Sequence, residues 1–265
     1  GEGNKTGYDQ PGKDPVADLE KALADGFVHD PGQGPNSDGR VRGGPAGRLP
    51  PDSFITYVEN HDQIGNRADG KRLSSRIAPE QLDFVHFVKF ITPQIPLCFM
   101  GDEASLPSAF PFFVDFSEEE GEKADTRRYR EMREIFMENV RDGDLPHPND
   151  PRTFAMAKLP WELVAEEQHV ASLRRFRELA SFRRDKVWPL SATPCTGTSS
   201  ARHGQGLIIN WMFEAGTLTL ALNPTAAPVD MPCLIQGAPV STGEFNQHGE
   251  VLRLGPWSAI AWRNW

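Results

Sequence analysis

A dense group of polar side chains follows an apolar run near residue 60. The run is Phe54-Ile55-Thr56-Tyr57-Val58, and the next five residues, Glu59-Asn60-His61-Asp62-Gln63, carry two carboxyl groups, two amides and an imidazole. Such groups can hold a polar ligand by hydrogen bonds, and a carboxylate can stabilise positive charge that develops during a reaction. Because ligand-handling residues gather at the carboxyl ends of strands in a parallel sheet, this junction predicts the rim of an active site.

A second junction of the same kind lies further along the chain. The apolar run Pro96-Leu97-Cys98-Phe99-Met100 ends in Gly101-Asp102-Glu103. Between the two runs, apolar residues in 79–92 recur at the spacing of a helix that packs on a neighbouring element. Both runs are typical of strands buried on both faces, as in a parallel sheet. We therefore expect a strand-helix-strand unit whose two polar strand ends lie on the same side.

Three further helices are predicted before residue 189. The first lies near 14–23, where Asp14 can cap the helix and Pro15 suits its first turn. A capping-box pattern at 117–120 opens the second, a charged helix that ends at 142–143. The third, 165–184, has acids at its start and arginines at its end, as the helix dipole favours. The arginine-rich faces are interpreted as solvated. The residues expected to face inward are Tyr129, Met132, Phe136 and Val140 in the second helix, and Val170, Leu173, Phe176 and Ala180 in the third.

The segments between these helices are predicted to be loops. Residues 31–50 contain scattered Gly, Pro, Asp and Arg, which are typical of either a long surface loop or a mobile segment. Prolines in 144–160 indicate a rigid connection. The aromatic stretch 107–116 contains too many prolines for a helix and could wall a pocket. Its side chains Phe110, Phe112 and Phe113 could equally belong to the core.

The pattern of apolar and turn-forming residues in the sequence changes near Pro189. Short apolar runs separated by Gly and Pro follow one another, and 217–222 alternates apolar and polar residues with a period of two. This pattern is typical of a small antiparallel sandwich. We expect two domains, 1–188 and 189–265. The strands expected in the second are 206–213, 217–222, 229–235, 249–254 and 257–262.

Composition narrows the possible functions. The chain has 265 residues, of which 38% are hydrophobic and 25% charged, so it can bury a sizeable core. Its formal charge of −9 argues against nucleic acid as a partner, because such proteins cluster Lys and Arg to neutralise phosphates. A neutral ligand is the better expectation. No apolar run approaches the roughly 20 residues of a membrane span, and no signal-peptide core is present, so a cytoplasmic protein is expected with no membrane partner.

No cofactor or metal site is predicted. The three cysteines, Cys98, Cys195 and Cys233, are too scattered for a disulfide framework or a metal site and are interpreted as packing residues. His86 and His169 have no metal-ligand partners at useful spacing and are interpreted as ordinary helix residues.

The two polar junctions together resemble a known enzyme family. Residues 59–63 after a strand, followed by 95–103, are similar to the last catalytic motif and the eighth barrel strand of the α-amylase superfamily of glycoside hydrolases. Within that superfamily, four segments resemble the maltooligosyltrehalose trehalohydrolases. These are His61-Asp62-Gln63-Ile64-Gly65-Asn66-Arg67, Pro111-Phe112-Phe113-Val114-Asp115, the segment 149–159 before Trp161, and Pro256-Trp257-Ser258. The resemblance runs from about Asp14 to the end and is weak in the β-domain.

The resemblance implies both a fold and a chemistry. The fold is α/β plus all-β, the last part of a (β/α)8 TIM barrel followed by a small antiparallel β-sandwich. These enzymes retain configuration with an Asp nucleophile, a Glu acid/base and a third Asp, and only the third has a counterpart, Asp62. That carboxylate binds the oxocarbenium-like transition state better than the ground state. The implied substrate is maltooligosyltrehalose or a related α-glucan, from which trehalose is released by cutting the neighbouring α-1,4 bond. The substrate-binding residues are expected to be Asn60, His61, Gln63, Asn66, Arg67 and Glu103.

Other interpretations of the same residues stay open. Asp62 could cap the following loop or pair with Arg67. The side chains that could brace Asp62 are Gln63, Asn66 and Arg67, and Glu103 could only turn the chain. The motifs for nucleophile and acid/base are not found, and only two barrel strands precede the β-domain. The sequence therefore resembles the carboxyl-terminal portion of such an enzyme, and the isolated chain is expected to be inactive. The alternatives are another amylase-type enzyme that acts on α-1,4-glucans, or a catalytically silent fragment that binds glucan or a partner.

Overall fold

The structure is a computed structural model that describes residues 14–28, 49–134 and 145–264. Within these ranges the chain forms two compact units, each assembled from separate stretches. One unit contains the predicted site and is called the site unit; the other contains the antiparallel strands and is called the sheet unit. The site unit comprises 57–82, 98–134 and 145–176, and the sheet unit comprises 14–28, 49–56, 83–97 and 177–264.

The helices begin at local capping signals. The Asp14 carboxylate accepts hydrogen bonds from the backbone N–H groups of Val16 and Ala17, at 3.1 and 3.2 Å, and this confirms the predicted first helix. The described helices are α1 (Pro15–Asp25), α2 (His61–Gly65), α3 (Pro79–Ile91), α4 (Glu118–Glu134), α5 (Pro151–Met156), α6 (Glu167–Phe182) and α7 (Trp188–Ser191). None of them is both long enough and apolar enough to cross a lipid bilayer.

Two short strands form the predicted parallel pair. β1 (Ile55–Thr56) and β2 (Ile95–Pro96) pair in parallel with Ile55 opposite Ile95, and α3 connects them along the chain, which confirms the strand-helix-strand unit. The prediction that both strands are buried on both faces is wrong, because Ile55 is 61% exposed and Ile95 is 49% exposed. The described parallel sheet has two strands, so each of them is an edge strand with a neighbour on one side only. The predicted second strand also stops early, since 97–100 leads into a turn.

Two antiparallel sheets make up most of the sheet unit. The larger has the strand order β3-β4-β5-β10-β7 and the smaller β6-β9-β8. The five predicted strands are present, and three additional strands are β3, β7 and β8. The bounds are β3 (Cys195–His203), β4 (Gly206–Phe213), β5 (Gly216–Asn223), β6 (Val229–Pro232), β7 (Val240–Thr242), β8 (Phe245–His248), β9 (Val251–Leu254) and β10 (Ser258–Asn264).

The sheets enclose an apolar core, and helices cover the other face of the larger sheet. The core between them is formed by Ile208, Ala221, Met231, Leu252, Leu254, Ile260 and Trp262. On the opposite face of β4, Trp211 is fully buried and its Nε1 donates a hydrogen bond to the carbonyl of Leu23 in α1. Because both faces of its central strands are covered, the larger sheet buries nearly continuous apolar runs.

The α6 helix continues through a π-helical turn, 183–187, into α7. The Arg183 side chain in that turn is buried and donates to the carbonyls of Phe90 at 3.0 Å and Gln94 at 2.6 Å. These carbonyls lie at and beyond the end of α3, where intrahelical donors are missing. The prediction that the arginine-rich helices present only solvated faces is therefore wrong at Arg183, and also at Arg128 in α4. Val170 in α6, expected to face inward, is exposed.

The site unit contains a smaller apolar cluster. Met132 of α4 and Leu145 are buried there, with Tyr129 packed against them, as predicted for Tyr129 and Met132. Phe136, Val140 and the predicted helix end at 142–143 lie outside the described residues. Within the predicted rigid connection 144–160, Asp150 accepts from the N–H of Arg152 at 2.8 Å and starts α5, a helix that is not predicted in the sequence analysis. Most of the predicted loop 31–50 also lies outside the described residues.

Candidate active site

The short helix α2 presents the predicted carboxylate. Asn60 precedes the helix, and its Oδ1 accepts from the N–H of Asp62 at 2.7 Å. In return, Gln63 Oε1 accepts from the N–H of Asn60 at 3.0 Å, which completes a capping box. Ile64 in the same turn is fully buried and anchors the helix. The two amide oxygens therefore determine where α2 begins and how Asp62 is held.

Asp62 and His61 point away from this framework. Their side chains are 55% and 66% exposed, and His61 Nε2 lies 3.4 Å from Asp62 Oδ1. Within the described part of the chain, this contact with His61 is the only polar contact that the Asp62 carboxylate makes. Both groups can therefore hydrogen-bond a ligand from solvent.

Glu59 anchors the segment from behind. It is buried, and one oxygen accepts from Arg67 Nη1 at 2.8 Å. Both of its oxygens also accept from the backbone N–H of Leu73, at 2.9 and 3.0 Å. Arg67 Nη1 donates in addition to the carbonyl of Lys71 at 2.8 Å. Arg67, predicted to bind the saccharide or brace Asp62, thus braces Glu59, three residues before Asp62.

Arg128 of α4 supports the end of α2. Its Nη1 donates to Asn66 Oδ1 at 3.0 Å, and its Nη2 donates to the carbonyl of Gly65. The guanidinium also lies 5.5 Å from the centre of the Phe112 ring. The Oδ1 atom of Asn66, a predicted substrate-binding residue, therefore accepts a hydrogen bond from a buried guanidinium. The local sequence around Arg128 gives no signal for this contact.

The turn after β2 is fixed by its own carboxylates. Asp102 Oδ2 accepts from the N–H of Phe99, and Glu103 Oε2 accepts from the N–H of Gly101, both at 3.0 Å. Gly101 has φ of 93° and Ser105 has φ of 51°, both in the left-handed region that side chains disfavour. Glu103, one of the predicted ligands, is thus held within the turn by one of its oxygens.

His169 holds the same turn from α6. Its ring is buried, and Nδ1 lies 2.8 Å from the carbonyl oxygen of Ala104. This contact suits a tautomer that donates from Nδ1. His169 is a tertiary anchor and more than an ordinary helix residue.

Arg72 lies near both the segment of Glu59 and the turn after β2 that contains Asp102. The sequence alone does not identify it as a site residue. The residue is 2% exposed, its Nε donates to the carbonyl of Ser108 at 2.7 Å, and Nη1 lies 3.9 Å from Asp102 Oδ1. Burial lowers the pKa of this guanidinium from its ordinary value, and the carboxylates of Asp102, Glu59 and Glu103 oppose that shift. An arginine in a loop gives no local signal of burial.

The aromatic loop is partly core and partly surface. Phe110 packs edge-on against Phe99, with ring centres 5.0 Å apart, and against Phe113 at 5.7 Å. Phe112 is exposed. The loop is pinned to the segment after α2, because Phe110 N–H donates to the carbonyl of Gly70 at 2.8 Å and a Cβ at Gly70 would lie 2.8 Å from the nitrogen of Pro111. Phe110 and Phe113 therefore pack within an aromatic cluster, and the role of the loop as a pocket wall stays a prediction.

Two negative observations limit the chemistry of the described residues. None of their His, Cys, Asp and Glu side chains gather in groups of three that could hold a metal ion. A cavity of about 600 Å³ lies in the sheet unit near Phe54, Gln94 and Cys195, and it contains none of the predicted site residues.

Comparison with known proteins now adds a family to this geometry. A malto-oligosyltrehalose trehalohydrolase of Brevibacterium helvolum is 30% identical over 262 residues, which cover 97% of this chain and 43% of that protein. A protein of the same name from Rhizobium sp. (strain M-11) is 34% identical over 185 residues, 69% of this chain and 30% of that protein. The chain is related to the malto-oligosyltrehalose trehalohydrolases. No protein-family model matches it.

A solved structure extends the relationship from sequence to fold. The crystal structure of a candidate alpha amylase from Salmonella typhimurium matches 98% of this chain and 43% of its own, with a TM-score of 0.83 and 31% identity. The trehalohydrolase relatives and this structure place the chain in the α-amylase superfamily. The chain spans 43% of the length of the Brevibacterium relative.

Proposed function

We propose that this chain is part of a glycoside hydrolase that cuts the α-1,4 bond next to the terminal trehalose of maltooligosyltrehalose and releases trehalose. The observation that carries the proposal is the exposed Asp62–His61 pair at the start of α2, with side chains 55% and 66% exposed. The names of the sequence relatives support the choice of substrate. In this reaction the configuration at the anomeric carbon is retained.

Asp62 is the carboxylate that stabilises the transition state. The sugar ring becomes positively charged as the glycosidic bond breaks, so a fixed carboxylate beside its hydroxyl groups binds that state better than the ground state. The capping box and the buried Glu59 hold the backbone of Asp62 in place before substrate arrives. His61 binds a hydroxyl group of the same sugar.

The amide nitrogens left over by this framework bind further hydroxyl groups. Asn60 and Gln63 use their oxygens in the capping box, so their NH2 groups are the donors that can reach substrate. Asn66 likewise keeps its NH2 group, and Glu103 keeps one carboxylate oxygen. Arg67 acts through Glu59.

Residues 1–188 are proposed to form the last part of a (β/α)8 barrel, and 189–265 a β-sandwich domain. The parallel β1–β2 pair supports the first assignment, and the two antiparallel sheets support the second. In this arrangement the polar residues that follow β1 and β2 belong to the carboxyl end of the barrel, where such enzymes carry out their chemistry.

A second candidate function is binding of α-glucan without hydrolysis. Retaining glycosidases need a nucleophile and an acid/base about 5 Å apart. The first fifty residues of the sequence show neither the pattern of a strand ending in Arg-x-Asp nor that of a strand-ending Glu to supply them. We therefore expect the isolated chain to bind glucan and to leave it uncut.

The test separates these functions by binding and turnover. Maltotriosyltrehalose is titrated into the purified chain in a calorimeter, and free trehalose is assayed in parallel. Asp62→Asn should weaken binding roughly tenfold, because hydrogen bonds to a charged group are lost. The control is Asp69→Asn, an exposed acid on the same segment that accepts from the N–H of Lys71, and it should bind normally.

Three outcomes discriminate the hypotheses. Trehalose release that Asp62→Asn abolishes would assign hydrolysis to the chain itself. Equal affinity for maltotriosyltrehalose and maltopentaose would favour another amylase-type activity on α-1,4-glucans. Binding that Asp62→Asn leaves unchanged, or no binding at all, would refute the proposed site.

A further inference from the structure

Two carboxylate-bearing turns in the site unit are connected through one arginine. On one side, the backbone N–H of Leu73, the neighbour of Arg72, donates to both oxygens of Glu59. On the other side, the Arg72 guanidinium lies 3.9 Å from Asp102 in the turn that contains Glu103. The backbone next to Arg72 therefore contacts Glu59, in the segment before Asp62, and the Arg72 side chain contacts Asp102, in the turn after β2.

The burial of this charge requires an explanation. Arg72 is 2% exposed, and its Nη1 and Nη2 have no hydrogen-bond partner among the described residues. Burying a cation with few hydrogen bonds is unfavourable, and an apolar side chain of similar volume would often stabilise the fold at least as well. The charge of Arg72 is therefore better explained by what it does to the carboxylates around it than by packing.

The surroundings of the guanidinium fix it in one place. Nε donates to the carbonyl of Ser108 at 2.7 Å, and the charge lies 5.2 Å from the centre of the Phe99 ring. A Cβ on Gly101 would lie 3.5 Å from Cζ and Nη1 of Arg72 and 2.9 Å from Leu159. A Cβ at this position would be in ordinary van der Waals contact with the guanidinium, so the turn and Arg72 lie side by side at Gly101.

We propose that Arg72 is a positioning residue, which sets the orientation of the turn that carries Glu103 through Asp102 and ties that turn to the segment that carries Asp62. Asp102 transmits the effect because its other oxygen accepts from the N–H of Phe99. Glu103 in turn accepts from the N–H of Gly101. The effect on glucan rests on the proposed function, whereas the effect on the turn does not.

The first test measures the turn directly. Hydrogen exchange of the Phe99 and Gly101 amides is followed by NMR in the full chain. Arg72→Met should raise both exchange rates by about tenfold, because coupling between contacting charged groups is of that order. Leu220 in β5 should keep its rate. The matched control is Arg76→Met, which removes an exposed arginine that pairs with Asp69 at 3.5 Å and should change none of these rates.

A double-mutant cycle separates positioning from simple packing. If Arg72 acts through Asp102, then Arg72→Met combined with Asp102→Asn should raise the Gly101 exchange rate little beyond either single substitution. Additive effects would overturn the proposal, as would unchanged exchange at Phe99 and Gly101 in Arg72→Met, or an equal rise at Leu220. Should Arg72→Met fail to fold, Arg72→Lys keeps the charge without the planar fork and should give a smaller rise at the same two amides.

The second test concerns the ligand. Arg72→Met should weaken maltotriosyltrehalose binding by about tenfold, while Arg76→Met should not. If Asp62→Asn has no effect on binding, the proposed function fails and Arg72 is judged by amide exchange alone. Should Asp62→Asn weaken binding while Arg72→Met leaves it intact, the link from Arg72 to the site is refuted.

Discussion

The two units of this protein are stabilised in different ways. In the sheet unit, apolar side chains from two sheets share one core, and the central strands are covered on both faces. In the site unit, buried charged groups such as Glu59, Arg72 and Arg128 hold the backbone between a few apolar anchors. An apolar core tolerates exchange of one hydrophobic side chain for another of similar volume, whereas a buried ionic network depends on each partner. The difference indicates that backbone positions in the site unit depend on specific charged partners, whereas those in the sheet unit depend on apolar packing.

The largest effect is expected in the sheet unit. Trp211→Ala should lower the free energy of unfolding by about 3–5 kcal/mol, because it empties a fully buried site and removes the hydrogen bond to Leu23. Urea denaturation measures the loss. Trp188→Ala is the matched control, since Trp188 is exposed, and it should change the free energy by less than about 0.5 kcal/mol. Equal losses for the two would contradict an apolar core as the main source of stability here.

A smaller but more local effect is expected in the site unit. Glu59→Gln keeps the shape of the side chain but removes the charge opposite Arg67, and should cost about 3 kcal/mol. Exchange of the Leu73 amide, which donates to Glu59, should accelerate by the corresponding factor. The exposed Glu162→Gln serves as the control. If Glu59→Gln is as stable as the control, charge is not what holds this unit together.

The smallest effect concerns pH and the sheet unit. Burial lowers the pKa of His86 to about 3, with a further contribution from Lys89 and an opposing one from Asp83. In the unfolded chain His86 is protonated below about pH 6.5, whereas in the folded chain it stays neutral down to about pH 3. The free energy of unfolding therefore decreases as pH falls through this range. Between about pH 7 and about pH 5 this loss amounts to about 2 kcal/mol. His86→Leu should remove it.

The readout for His86 is the slope of unfolding free energy against pH. Exposed His248→Gln should keep the wild-type slope. An unchanged slope in His86→Leu would mean that the ring is hydrated in the folded protein. Because the comparison uses slopes, a change in absolute stability from the substitution itself does not disturb it.

Features coded over a few neighbouring residues could be predicted from the sequence. Asp14 followed by Pro15 specifies a helix start, and apolar residues at helical spacing specify α3, because both patterns act within one or two turns. The polar junction at 59–63 and its family resemblance were recognised for the same reason. The start of α5 at Asp150 could also have been found, since an Asp-Pro pair is the same signal.

Some edge strands could not be predicted from the sequence because their local residue pattern is weak. β3 lies at the edge of the larger sheet, and its Ser- and Thr-rich residues are mostly exposed, so no alternating apolar pattern marks it. β1 and β2 show the reverse case. Their apolar composition indicated complete burial, but burial depends on neighbouring strands, and a strand's own sequence does not contain them.

The sequence by itself determined which residues could do chemistry: the string from Glu59 to Arg67, with Asp62 as the predicted catalytic carboxylate. Only the tertiary structure decided how the others are used. Asn60 and Gln63 engage their oxygens in a cap, Arg67 braces Glu59, and Arg72 reaches Ser108 and Asp102 from a distant part of the chain. A guanidinium finds its carbonyl or carboxylate partner through folding, because a hydrogen bond depends on distance in space and not on separation in sequence.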